Sequence, residues 1–141
     1  MNVKAYMMRY RRLSERIRQI DLDIAAIETE AEGRAITSDG LPKGSGVSDP
    51  TAVLAMRLSD LKADRLLKKE EAWRAREEIQ RVIDAVPDPV HSRLLYDRYV
   101  LCMRWEEIAD ELHYAVNYVA GRLHGRSLQS AGKILQDVKE C

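Results

Sequence analysis

From Val3 the apolar residues recur at Val3, Tyr6, Tyr10, Leu13, Ile17, Ile20, Ile24, Ile27 and Ala31, in steps of three and four without a break. A seam this narrow, flanked by charge on its other sides, predicts one long helix that needs a partner helix. Tyr10, Leu13, Ile17, Ile20, Ile24 and Ile27 are therefore the candidate association residues. The same segment is electrically split: Met1 to Ile20 holds six basic side chains against Glu15, whereas Asp21 to Glu32 holds five acids and no base. Bases at the start and acids at the end oppose the helix macrodipole by roughly 0.3–1 kcal/mol per charge, so a compensating neighbour is expected. Two copies lying antiparallel about Ile17 supply one and make a homodimer. Folding back on a later helix of the same chain supplies another, and a four-helix arrangement satisfies both. A third option makes Arg9, Arg11, Arg12, Arg16 and Arg18 a nucleic-acid patch.

The remainder carries no strand signal. Phe is absent, Gly and Pro number only 7 and 4 in 141 residues, and Leu, Ala, Arg, Glu and Asp dominate, which predicts an all-α fold. Gly33 ends the first pattern, and a flexible loop is expected at about 34–48, where Thr37–Val47 reads TSDGLPKGSGV. Its Lys43-Gly44-Ser45 is not a phosphate loop, because the leading glycine and a preceding strand are missing. Asp49 as cap and Pro50 in the first turn start a second helix expected to reach about Val86. Leu54, Leu58, Leu61, Ala72, Ala75, Ile79, Val82 and Val86 form its seam, interrupted by Arg65 and Lys68. Leu66, Leu67 and Trp73 form a second face, so two neighbours are expected. Val86-Pro87-Asp88-Pro89 repeats the cap-then-proline start and divides the sequence into a helical association region, 1–86, and a carboxy-terminal domain, 87–141.

That domain contains three short helical patterns with very short joints. The first carries Leu94, Leu95 and Tyr99, the second (Trp105 to Leu112) carries Trp105, Ile108, Ala109 and Leu112, and the third carries Val119 and Leu123. Short amphipathic helices joined this way predict a helix-turn-helix. Leu94 to Leu128, LLYDRYVLCMRWEEIADELHYAVNYVAGRLHGRSL, resembles region four of bacterial sigma factors, and more closely small phage-encoded regulators with such a tail. Arg98-Tyr99-Val100, Trp105 to Ala109, Leu112 and Arg122 to Arg126 carry the likeness, and Val86 to Pro89 and the SDPTA stretch at Ser48–Ala52 extend it. The resemblance implies sequence-specific binding of double-stranded DNA in phage or prophage transcription control. The sequence departs from the family pattern at Cys102, Arg104, His113 and Ala115, where glycine or hydroxyl caps are usual. Both joints are expected to be weakly capped, with His113 at positive φ.

Read as in the family, the third helix presents Val116, Asn117, Tyr118, Ala120, Gly121 and His124 to the major groove, with Arg122 and Arg126 on phosphates. Asn117 is suited to a bidentate contact with adenine. The plainer alternative is a solvated helix face on a structural three-helix unit. The domain is not basic: Val86 to Cys141 holds seven basic and eight acidic residues, and Glu106, Glu107, Asp110 and Glu111 crowd its second helix. That acidity suits a module that docks RNA polymerase or a sigma factor without touching DNA, and a phage assembly or DNA-packaging subunit is a further alternative. No catalytic constellation is present, and His91, His113, His124 and Cys102 lack the spacing of a metal site, so no enzyme activity, metal or cofactor is expected. Trp73 and Trp105 are read as core or joint residues. With neither an apolar run of about 18 residues nor a secretion signal, and with two cysteines, Cys102 and Cys141, outside any disulfide framework, the expected location is the bacterial cytoplasm, at the nucleoid, with no membrane partner.

Overall fold

The computed structural model describes residues 2–37 and 50–140, and every regular element in them is helical. In order these are α1 (Val3–Met7), α2 (Arg9–Thr37), α3 (Pro50–Ala85), α4 (Pro89–Tyr99), α5 (Trp105–Leu112), α6 (Val116–Tyr118), a π-helical turn (Val119–Leu123) and α7 (His124–Glu140). The first predicted helix is interrupted once, at Met8, whose N–H is shared between the Lys4 and Tyr6 carbonyls. It does not stop at Gly33, where a glycine costs only about 1 kcal/mol, so the first residues assigned to the loop are helical as far as Thr37. The rest of that loop, its Lys43-Gly44-Ser45, the Asp49 cap and Cys141 lie outside the described residues.

Contacts divide the chain into two units, Met1–Arg12 with Ala72–Cys141, and Leu13–Glu71. This corrects the boundary expected at Val86-Pro87. Pro87 does end a helix, but Ile79, Val82, Ile83 and Val86 share one buried core with Met7, Leu94, Leu95, Tyr99, Ile108, Val119 and Leu123. Common burial of apolar surface, rather than punctuation of the chain, decides which segments belong together.

Within Leu13–Glu71, Ile20, Ile24 and Ile27 are buried, and Leu13 and Ile17 half-buried, inside a single chain. Asp21 meets Arg65 at 3.0 Å, Glu28 meets Lys62 at 3.8 Å and Arg16 meets Asp64 at 3.9 Å. The first two pairs set a later residue of α2 against an earlier one of α3, so these stretches run antiparallel. The compensation that the split charge of α2 demands thus comes from α3. This corrects the association role assigned to Ile20, Ile24 and Ile27, whose apolar surface the chain itself covers. Tyr10 belongs to the other unit, packed on its core. Exposed ion pairs contribute at most about 1 kcal/mol each, against roughly 1.5–3 kcal/mol for a fully buried isoleucine, so the seam stabilises the pairing and the charges set its direction. Arg65 and Lys68 keep the heptad register, half-buried and ion-paired, Arg65 to Asp21 and Lys68 to Glu71. The second apolar face gains no neighbour: Leu66, Leu67 and Trp73 are exposed.

In the unit formed by Met1–Arg12 and Ala72–Cys141, Asp88 caps α4 as its sequence predicts, its Oδ1 accepting from the Val90 N–H at 2.8 Å with Pro89 in the first turn. The joints on either side of α5 differ. Arg104 and Ala115 provide no side-chain cap, and Cys102 (φ 58°) and His113 (φ 62°) hold left-handed conformations without being glycine. Positive φ at His113 fulfils the expectation; at Cys102 it is an addition. A left-handed residue bearing a Cβ is penalised by roughly 1–2 kcal/mol. Gly132 serves a different need, because a Cβ there would stand 3.1 Å from Cγ2 of Val3 where α7 meets α1. Two outcomes are expected in urea denaturation. His113→Gly raises stability by about 1 kcal/mol, and Gly132→Val lowers it by about 1–3 kcal/mol. An unchanged midpoint in the first variant would show that the joint is not strained.

Candidate functional site

The residues that start the last helical stretch fall into three rows at i, i+4 spacing, the spacing of neighbours on one helix face. Val116 and Ala120 form an apolar row, exposed at Val116 and half-buried at Ala120. Asn117, Gly121 and Gly125 form the middle row, all exposed, with Gln129 continuing it. Nothing lies within 4 Å of where a Cβ would stand on either glycine, so the helix surface there is bare. Tyr118, Arg122 and Arg126 form the third row, half-buried at Tyr118 and exposed at both arginines. Among the described residues neither arginine is ion-paired within the chain. No acidic side chain occurs between Leu112 and Gln136, so this face is locally cationic inside a domain that is not.

His124 departs from its assignment. It is 7% exposed and belongs to the core, which corrects its place among the outward residues. The cause is the π-helical turn: the His124 N–H bonds to the Val119 carbonyl five residues earlier, so His124 comes to lie one turn from buried Val119 instead of continuing around to the outer face. There its Nε2 stands 2.6 Å from the Tyr99 hydroxyl, and its ring meets the edge of Trp105 at a centroid distance of 4.6 Å. Burial lowers the His124 pKa to about 4; nearby Lys4 and Arg98 act in the same direction, and a hydrogen bond with the Ala120 backbone opposes them. The ring is therefore neutral near pH 7, the Tyr99 O–H donates to Nε2, and the ring proton sits on Nδ1. Tyr99 belongs to α4 and Trp105 to α5, so one imidazole ties the last helical stretch to both.

A second set of contacts joins α4 to α5. Arg98 donates to the Met103 carbonyl at 3.0 Å and lies over the Trp105 ring at 4.2 Å. Arg93 reaches Asp97 of its own helix, 3.2 Å from Oδ1, and also bonds Glu111 of α5. Asp97 is fully buried, and burial raises its pKa against the opposing pull of Arg93. Glu107 pairs with Arg104 at 2.7 Å, so part of the acidity of α5 is answered locally. Trp105 is a joint residue as expected, whereas Trp73 is not a core residue.

Of the residues assigned to a reading face, Asn117, Gly121, Arg122 and Arg126 thus stand together on one exposed surface, with Val116, Ala120 and Tyr118 along its borders. Tyr114 was not part of the assignment, yet it is 48% exposed and packs edge-on against Tyr118 with ring centres 5.3 Å apart. It precedes the helix and so falls outside any helical pattern; the only signal is its i, i+4 spacing from Tyr118. No family model matches this chain, and no curated protein or solved structure shows significant similarity to it.

A lowered histidine pKa has a definite sign in stability. Above about pH 6.5 the ring is neutral in both states and the fold has its full stability; as pH falls toward 4 the unfolded chain takes up a proton that the folded chain refuses. Buried Asp97, with its raised pKa, works in the opposite sense as acid is added. Comparing wild type with His124→Phe by denaturation between pH 7 and 4.5 isolates the histidine. Wild type should lose stability more steeply, and parallel profiles would show that His124 is not held neutral.

Proposed function

We propose that this chain is a sequence-specific binder of double-stranded DNA that regulates phage or prophage transcription, with α4, α5 and the stretch from Val116 onward acting as a helix-turn-helix. The observation that carries it is the exposed, acid-free face of Asn117, Gly121, Arg122 and Arg126 on a helix fixed by buried contacts to two neighbours. An α-helix of roughly 10–12 Å diameter fits a major groove about 12 Å wide, and cations at its edge meet the phosphate strands that wall the groove. The likeness of Leu94–Leu128 to region four of sigma factors supports the same reading.

The test is binding of the full chain to duplex fragments of the parent genome across a salt series. Arg126→Ala should weaken all sequences alike and reduce the slope of log affinity against log salt by about one. Asn117→Ala should relax base preference at one position, with little effect on the salt slope. Equal affinity for every fragment, or an unchanged preference in Asn117→Ala, would remove the reader assignment. A second reading, docking to RNA polymerase or a sigma factor without DNA contact, is favoured by the exposed acids Glu106 and Asp110 on α5. Capture of purified polymerase with no duplex affinity at any salt would select it.

A further inference from the structure

Resting on the DNA-binding reading above, we infer that the face from Val116 to Arg126 specifies an A·T pair in the major groove and does not read guanine. The inference comes from how the three rows divide the chemistry. The middle row, which meets the floor of the groove when the helix is inserted, offers one side chain able to hydrogen-bond near its start, Asn117, followed by bare backbone at Gly121 and Gly125. A side-chain amide matches adenine, donating to N7 and accepting from the N6 amino group. Guanine presents two acceptors, O6 and N7, for which arginine or lysine is the usual partner. Asn117 is exposed and, among the described residues, has no partner within the chain, so its amide is available for that contact.

The glycines decide where the arginines go. With no side chain at Gly121 or Gly125, the helix surface approaches the base edges closely, and the flanking rows are brought against the two groove walls. Arg122 and Arg126 lie on one flank and meet phosphate there before they could turn inward to a base. The opposite flank, Val116 and Ala120, has no charge to offer a phosphate. It carries methyl groups, and the only methyl in the groove is the 5-methyl of thymine, so apolar contact there adds a preference for thymine near the adenine that Asn117 reads.

The experiment selects preferred sites for the full-length chain from a pool of randomised duplexes, then replaces single bases in the best site. The expected site has one dominant adenine. Replacing it with 7-deazaadenine, which lacks the N7 acceptor, should weaken binding by about tenfold, and Asn117→Ala should abolish that sensitivity while keeping wild-type helix content by circular dichroism. Replacing the neighbouring thymine by uracil should weaken binding about threefold, an effect lost in Val116→Ser. Selected sites dominated by guanine, or insensitivity to both base replacements, would overturn this inference while leaving DNA binding intact. Failure of any duplex to be enriched would overturn the DNA-binding reading and this inference with it.

Discussion

The hydrogen bond from the Tyr99 hydroxyl to His124 sets which side of the last helical stretch faces outward. Both groups are buried, so a rotation of that helix about its axis would leave a hydroxyl and a ring nitrogen without partners away from water, at a cost of about 1–3 kcal/mol for each. Trp105 closes the third side of the ring, and Arg98 lies over Trp105 in turn. Three helical segments are thereby indexed to one another by polar and aromatic contacts, in addition to the apolar packing of Leu94, Ile108, Val119 and Leu123, which by itself would tolerate some slippage. The surface formed by Asn117, Gly121 and Arg122 has a fixed orientation because of what lies on the reverse side of its helix.

Charge plays a comparable directional role in the long helices. A basic first half and an acidic second half make α2 a poor isolated helix, and Arg65, Lys62 and Asp64 of α3 answer it within the chain. The intrachain solution has an advantage that the dimer lacks: it carries no translational entropy cost, and joining the ends through a loop adds a term that grows only slowly with loop length.

Much of the fold could be read from residue types. Pro50 and Pro89 start helices, Asp88 caps one, and the heptad steps place the buried positions of both long helices, including half-buried Arg65 and Lys68. Positive φ at His113 followed from a short joint with no glycine to make it. What was not legible depends on tertiary context. The prolines at 87 and 89 suggested a domain boundary, but the seam of α3 runs past Ala72 to Val86 without a change of character, and the far end of that seam is what the carboxy-terminal helices pack on. His124 looked outward because an uninterrupted 3.6-residue period was assumed, and no residue type marks a π turn. Leu66, Leu67 and Trp73 show the converse: apolar residues in register do not guarantee a neighbour.

The π-helical turn also makes chain length a rotational variable. Val119–Leu123 accommodates one more residue than an α-helical turn would, and the whole of α7 follows from it. Deleting a single residue there would barely shorten the rod but would turn everything beyond it by about 100°, carrying Ala131 and Leu135 out of contact while Asn117 stayed where it is. The two ends of this helix are therefore phased by a local irregularity, and lineages that gain or lose one residue in it would exchange the inner and outer identities of every side chain downstream.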